Sequence, residues 1–117
     1  MATVNEILND LSNLEGVKAA VVAGRDGFCV ESVITKGMDI DALGAIFSTS
    51  MSPSELMGNE LKMGELTQNM IEFKHGNIIL TAIGPNAILG VVTNSKANLG
   101  ALRYNIKKIR GNLAKAL

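Results

Sequence analysis

Apolar positions along the chain change period several times, and each change marks an element. Val4, Ile7, Leu8, Leu11 and Leu14 recur every three or four residues, the spacing that lines one face of a helix. Thr3 with Glu6 three residues on makes a capping box at its start, and Gly16 is the expected stop. Strands are predicted at 17–23 and 28–34, joined through Asp26-Gly27, a pair suited to the positive dihedrals of a tight hairpin. From Asp39 the period is helical again, with Ile40, Leu43, Phe47, Met51, Met57 and Leu61 in phase up to a predicted end near Gly64.

Pro53 interrupts that helix. A proline removes one backbone bond and crowds the preceding turn, costing about 3 kcal/mol, while Ser52-Pro53-Ser54-Glu55 also has the form of a fresh start with a capping serine. A kinked helix, or two in tandem, is therefore expected. Three further strands are predicted at 66–74, 77–84 and 87–93, separated by His75-Gly76-Asn77 and Gly84-Pro85-Asn86. The last two are apolar on both faces and need cover on both sides, whereas 66–74 mixes in polar residues and belongs at an edge. A final helix from about Ser95 places Leu99, Leu102, Ile106, Ile109 and Leu113 in a three-four repeat. The order α-β-β-α-β-β-β-α implies an α+β sandwich: a five-stranded, mainly antiparallel sheet with helices on both faces.

At 117 residues the chain has the size of one domain, 1–117, able to bury roughly two thirds of its unfolded surface. With 47% hydrophobic and 19% charged residues it has the composition of a globular protein rather than a disordered one. Eleven basic and eleven acidic residues cancel, so no net field draws it to nucleic acid or an anionic membrane. The distribution is uneven: residues 1–15 carry Glu6, Asp10 and Glu15 without a cation, and residues 95–117 carry Lys96, Arg103, Lys107, Lys108, Arg110 and Lys115 without an acid. First and last helices are expected to be neighbours, with some of these charges paired. No basic leader followed by an apolar run and no 18-residue apolar stretch is present, so a cytoplasmic protein without membrane insertion is expected.

Candidate chemistry is sparse. One cysteine and one histidine cannot build a structural zinc site, and neither a phosphate-cradling loop, a dinucleotide fingerprint nor a His-Glu-x-x-His motif occurs. No cofactor and no active site of its own are expected. His75 is read as a solvated turn residue, Cys29 as a small inert hydrophobe in a strand, and Arg25 as a solvated hairpin tip or else a partner contact. Nucleic-acid binding rests on the six terminal cations alone, with Tyr104 the single aromatic there, and is set aside.

The hairpin Val21–Ser32 with Asp26-Gly27, and the helix start Asn98-Leu99-Gly100-Ala101-Leu102-Arg103, together with the element order end to end, resemble the roadblock / dynein light chain family, in particular its stand-alone prokaryotic MglB type. The resemblance implies a homodimer whose third strands pair edge to edge into one continuous sheet, with the central helices of the two subunits side by side. Gln68, Met70, Ile71 and Phe73 would then form the interface together with Phe47. An unprotected edge bearing Met70, Ile71 and Phe73 would itself be an aggregation hazard, which points the same way.

It further implies a non-catalytic regulator that binds a Ras-like small GTPase through the central-helix face, stimulating hydrolysis, if at all, by positioning the switch regions. Between residues 39 and 64 the chain has Lys62 and no arginine to insert. Met51, Ser54, Glu55, Met57, Gly58 and Leu61 are the expected contacts, with methionine supplying an adaptable surface. A methionine stripe at helical spacing is equally a mark of packing, so Met51 and Met57 carry both readings. The alternative is a passive dimeric scaffold for a motor or signalling complex.

Overall fold

In the computed structural model, residues 2–35 and 37–117 are described. The chain forms α1 (Val4–Ser12), β1 (Val17–Gly24), β2 (Cys29–Ile34), α2 (Ile40–Glu60), β3 (Asn69–Phe73), β4 (Gly76–Ile83), β5 (Ala87–Asn94) and α3 (Leu99–Ala116). Each helix is started by a side chain that accepts a hydrogen bond from an otherwise orphaned amide: Thr3 from Glu6, Asp39 from Ala42 and Asn98 from Ala101. The strands form one sheet in the order β2-β1-β5-β4-β3, every neighbouring pair antiparallel.

Strict alternation in the central strands divides the core in two. Ala20, Val22, Ile79, Ile83, Leu89 and Val91 face one side and are covered by Ile7, Leu8 and Leu11 of α1 with Leu102, Ile106 and Leu113 of α3. Ala19, Val21, Leu80, Ala82 and Ile88 face the other and meet Phe47 and Met51 of α2. Phe47 lies so close to the sheet that a Cβ on Gly90 would overlap its ring, so the glycine makes room for the aromatic side chain.

Several boundaries differ from the sequence expectations for local reasons. Helix α1 stops at Ser12 with Asn13 as its C-cap; Gly16, at φ +86°, instead turns the chain into β1. In the first hairpin only Gly27 of the Asp26-Gly27 pair takes positive φ, +93°, and Asp26 serves through its carboxylate, which accepts from the Phe28 amide at 3.1 Å. Pro53 does not split α2, which runs unbroken from Ile40 to Glu60. Ser52 and Pro53 are exposed, so the bond that proline deletes lies on the solvent side. Just before it, the Ser48, Thr49 and Ser50 hydroxyls donate back to carbonyls of the previous turn.

Helix α2 also ends short of Gly64, and β3 starts at Asn69 rather than 66 because the Thr81 hydroxyl takes the Thr67 carbonyl at 2.7 Å. Likewise α3 begins four residues later than expected, Asn94 holding the Lys96 amide in a preceding turn. The strand predicted at an edge is at an edge: β3 pairs with β4 and with nothing on its other side. Helices α1 and α3 are neighbours through their apolar sides, but no ion pair joins them among the described residues. The charge pairing expected between them is therefore corrected: Glu6, Asp10, Arg103, Lys107, Lys108 and Lys115 are exposed, and Arg110 is half-buried with its Nε donating to the Ala82 carbonyl.

Candidate partner-binding surface

Helix α2 is apolar on two sides, and that duality defines the site. Its inner side, Leu43, Gly44, Phe47 and Met51, packs on the sheet. Its outer side follows Ala42, Ile46, Thr49, Pro53, Leu56 and Glu60, a four-three alternation that keeps one narrow stripe in register, as in helices that pack lengthwise on another helix. Ile46 is 56% exposed, Leu56 64%, Met57 61% and Leu61 62%. Open hollows follow the stripe: about 240 Å³ between Ala45, Ile46, Thr49 and Ser50, then about 460 Å³ between Pro53, Leu56, Met57, Glu60 and Leu61. A third, about 300 Å³, lies under the turn after the helix, lined by Ser54, Met57, Gly58, Leu61, Met63 and Leu66 among others.

Leu66 and Thr67, on the way into β3, line the third hollow together with Ser54, Met57 and Leu61 of α2. Asn69 is tied to α2 by its amide, which donates to the Ser54 hydroxyl at 2.9 Å, so helix and edge strand hold a fixed relation. Phe73 is exposed and Ile71 half-buried on the edge, and Met70 packs partly against the α1/α3 side. Gln68 exchanges side-chain contacts with Arg103 on α3, accepting from its Nε at 3.4 Å and donating to its carbonyl at 3.3 Å.

Two expected contact residues are corrected. Met51 is 0% exposed and Phe47 1%, both inside the subunit core, so neither can touch a partner. Their spacing matched the helix, but with the inner stripe, which sits roughly opposite the Ile46–Leu56 stripe. Ile46, Leu56 and Met63 went unnoticed; the signal for the first two was the second, out-of-phase four-three series through Thr49 and Pro53.

Arg25 is an exposed residue of the hairpin turn, as expected, but its side chain is engaged within the subunit. Its Nη1 and Nη2 donate to the two carboxylate oxygens of Glu55 at 2.7 and 2.9 Å, and its Nε donates to the Pro85 carbonyl at 3.1 Å. Its backbone amide reaches the Asn86 carbonyl at 3.0 Å. One side chain thus joins the β1–β2 turn, the β4–β5 turn and α2 just past Pro53. The hydrogen bond to Arg25 holds the Glu55 carboxyl below its ordinary value, and the same bond raises the guanidinium. Nothing in the sequence announces a pair thirty residues apart. Elsewhere, burial pushes the half-buried Cys29 thiol up, which keeps it protonated, and His75 is an exposed turn residue.

Residues 3–93, from the α1 cap to the end of β5, match the Roadblock/LC7 domain. The chain belongs to that family. Two uncharacterized proteins of Methanocaldococcus jannaschii are each 34% identical to it over 105 residues, 90% of this chain and 91% of theirs. Among solved structures, Myxococcus xanthus MglB superposes with a TM-score of 0.88 at 19% identity, covering 96% of this chain and 92% of that one. The gliding protein MglB of Thermus thermophilus gives 0.86 at 18%, covering 95% and 85%. At such identities the likeness is one of fold, and it extends through α3, beyond the residues the family match covers. As a roadblock domain, the chain has the five-stranded antiparallel sheet and the helices on both faces that its element order implied.

Proposed function

We propose that this roadblock domain works as a homodimeric regulator of a Ras-like small GTPase. The observation that carries the reading is the second apolar stripe on α2 taken together with the unpaired β3 edge. A helix that is apolar on two sides is ordinarily covered on both, and an open strand with exposed Phe73 is ordinarily paired. A second copy satisfies both at once: β3 meets β3 across a two-fold axis, extending the sheet to twice its five strands, and the two α2 helices lie along one another. The groove between them then displays Met57, Leu61, Ser54, Glu55 and Gly58 to the GTPase, while Gln68, Met70, Ile71 and Phe73 hold the seam.

The reading includes action by positioning. The arginine nearest α2, Arg25, has its fork fully engaged by Glu55, and Lys62 stands in the turn after the helix at φ +56°. The switch regions of a bound GTPase would be shaped by a fixed apolar surface rather than by an inserted cation.

Affinity capture of the tagged protein from its own cells, with a non-hydrolysable GTP analogue and again with GDP, tests this. A Ras-like GTPase enriched only in the GTP arm is the expected result. The same partners in both arms, without a GTPase, would replace it with a passive dimeric scaffold for a motor or signalling complex.

A further inference from the structure

The cations of α3 have no counterion. Among the described residues the ion pair of Arg25 with Glu55 is the only one, so the acids of α1 leave Arg103, Lys107 and their neighbours unneutralised. Two of these cations meet in a cleft of about 300 Å³ between α3 and the segment leading into β3, lined by Thr67, Gln68, Gly100, Arg103, Tyr104 and Lys107. No carboxylate lines it. Arg103 is held there by Gln68, which engages only Nε and leaves both terminal nitrogens as an open fork. Lys107 follows one turn later on the same side, and Tyr104, 68% exposed, adds a ring and a hydroxyl.

The arrangement works against the fold. Like charges four apart destabilise a helix, and glycine in its first turn does so too. Packing does not demand Gly100: a Cβ there would meet one atom, the Asn98 side-chain oxygen at 3.6 Å, at ordinary contact distance. Gly100 instead leaves the end of the cleft open beside the fork. A guanidinium fork, an ammonium, a phenol and a threonine lining one cleft without an acid are the donor set of a phosphate site.

We propose that the Arg103–Lys107 cleft binds a phosphomonoester group, carried by a soluble metabolite or by a lipid headgroup. The cleft borders the proposed seam through Gln68 and the hollow after α2 through Thr67, but phosphate binding by Arg103 and Lys107 does not rest on the GTPase reading.

Amide NMR of the 15N-labelled protein at constant ionic strength, titrated with AMP and with adenosine, reads the soluble source. Co-sedimentation with phosphatidylcholine vesicles containing either phosphatidic acid or phosphatidylserine reads the headgroup. The expected result is saturable binding of AMP, or of phosphatidic acid vesicles over phosphatidylserine ones, with AMP shifts centred on Gly100, Arg103 and Lys107. Arg103→Gln and Lys107→Gln should each weaken it at least about tenfold, while Lys115→Gln, at the far end of α3, leaves it unchanged. Failure of both arms, with no AMP binding at millimolar concentration beyond that of adenosine and no preference for phosphatidic acid over phosphatidylserine, or equal losses in all three variants, would overturn the site.

Discussion

Arg25 and Glu55 show how much one pair of side chains can organise. Each side chain keeps about a third of its surface in water, 34% and 29%, so solvent screens the pair and its worth is on the order of 1 kcal/mol rather than the value of a buried bridge. Because the folded-state value of Glu55 is lowered, its contribution is present above the unfolded carboxyl's titration, near pH 4.5, and fades as pH falls through the folded value. Glu55→Gln should therefore unfold about 1 kcal/mol more easily than wild type in urea at pH 7, with the gap closing below about pH 4. A gap independent of pH would mean that Glu55 acts through packing. Where α2 meets the sheet, Gly90→Ala should cost about 1–3 kcal/mol by pressing on the Phe47 ring. With Phe47→Ala in the same chain the two losses should sum to less than their parts, a coupling that double-mutant unfolding measures directly.

At the scale of elements, all eight were legible because their period and their caps agreed. The unbroken apolar runs of β4 and β5 even foretold cover on both sheet faces. What stayed hidden was which of the two stripes of α2 points inward. Periodicity gives phase but not sign when both stripes are apolar, and the decision came from Gly90, which admits Phe47 to the sheet. Gly16 misled for a related reason: it is a chain reversal into a strand, and its positive φ serves that turn as well as it would a helix end. Pro53 is the remaining anomaly, since it stands mid-helix where its lost donor weakens the ladder. Pro53→Ala should raise stability by about 2 kcal/mol, a restored bond and better helix propensity set against a looser unfolded chain. Urea unfolding at fixed protein concentration checks it, and an unchanged or lower midpoint would show that the backbone before Pro53 is already fully accommodated.

For the whole molecule, the two-layered core closes two faces of the sheet and leaves the edges of β2 and β3 unpaired and one stripe of α2 uncovered. Leu56, Met57, Leu61 and Met63 around the end of α2 and Phe73 on the β3 edge are all exposed. Self-association through these surfaces is the claim on which the GTPase reading stands, and the solution mass tests it most directly. Sedimentation equilibrium of the wild-type chain should give twice its 12.3 kDa, and Ile71→Asp, which places a charge on the pairing strand, should give either the single mass or an insoluble protein. A wild-type monomer at micromolar concentration, or a dimer indifferent to Ile71→Asp, would contradict it.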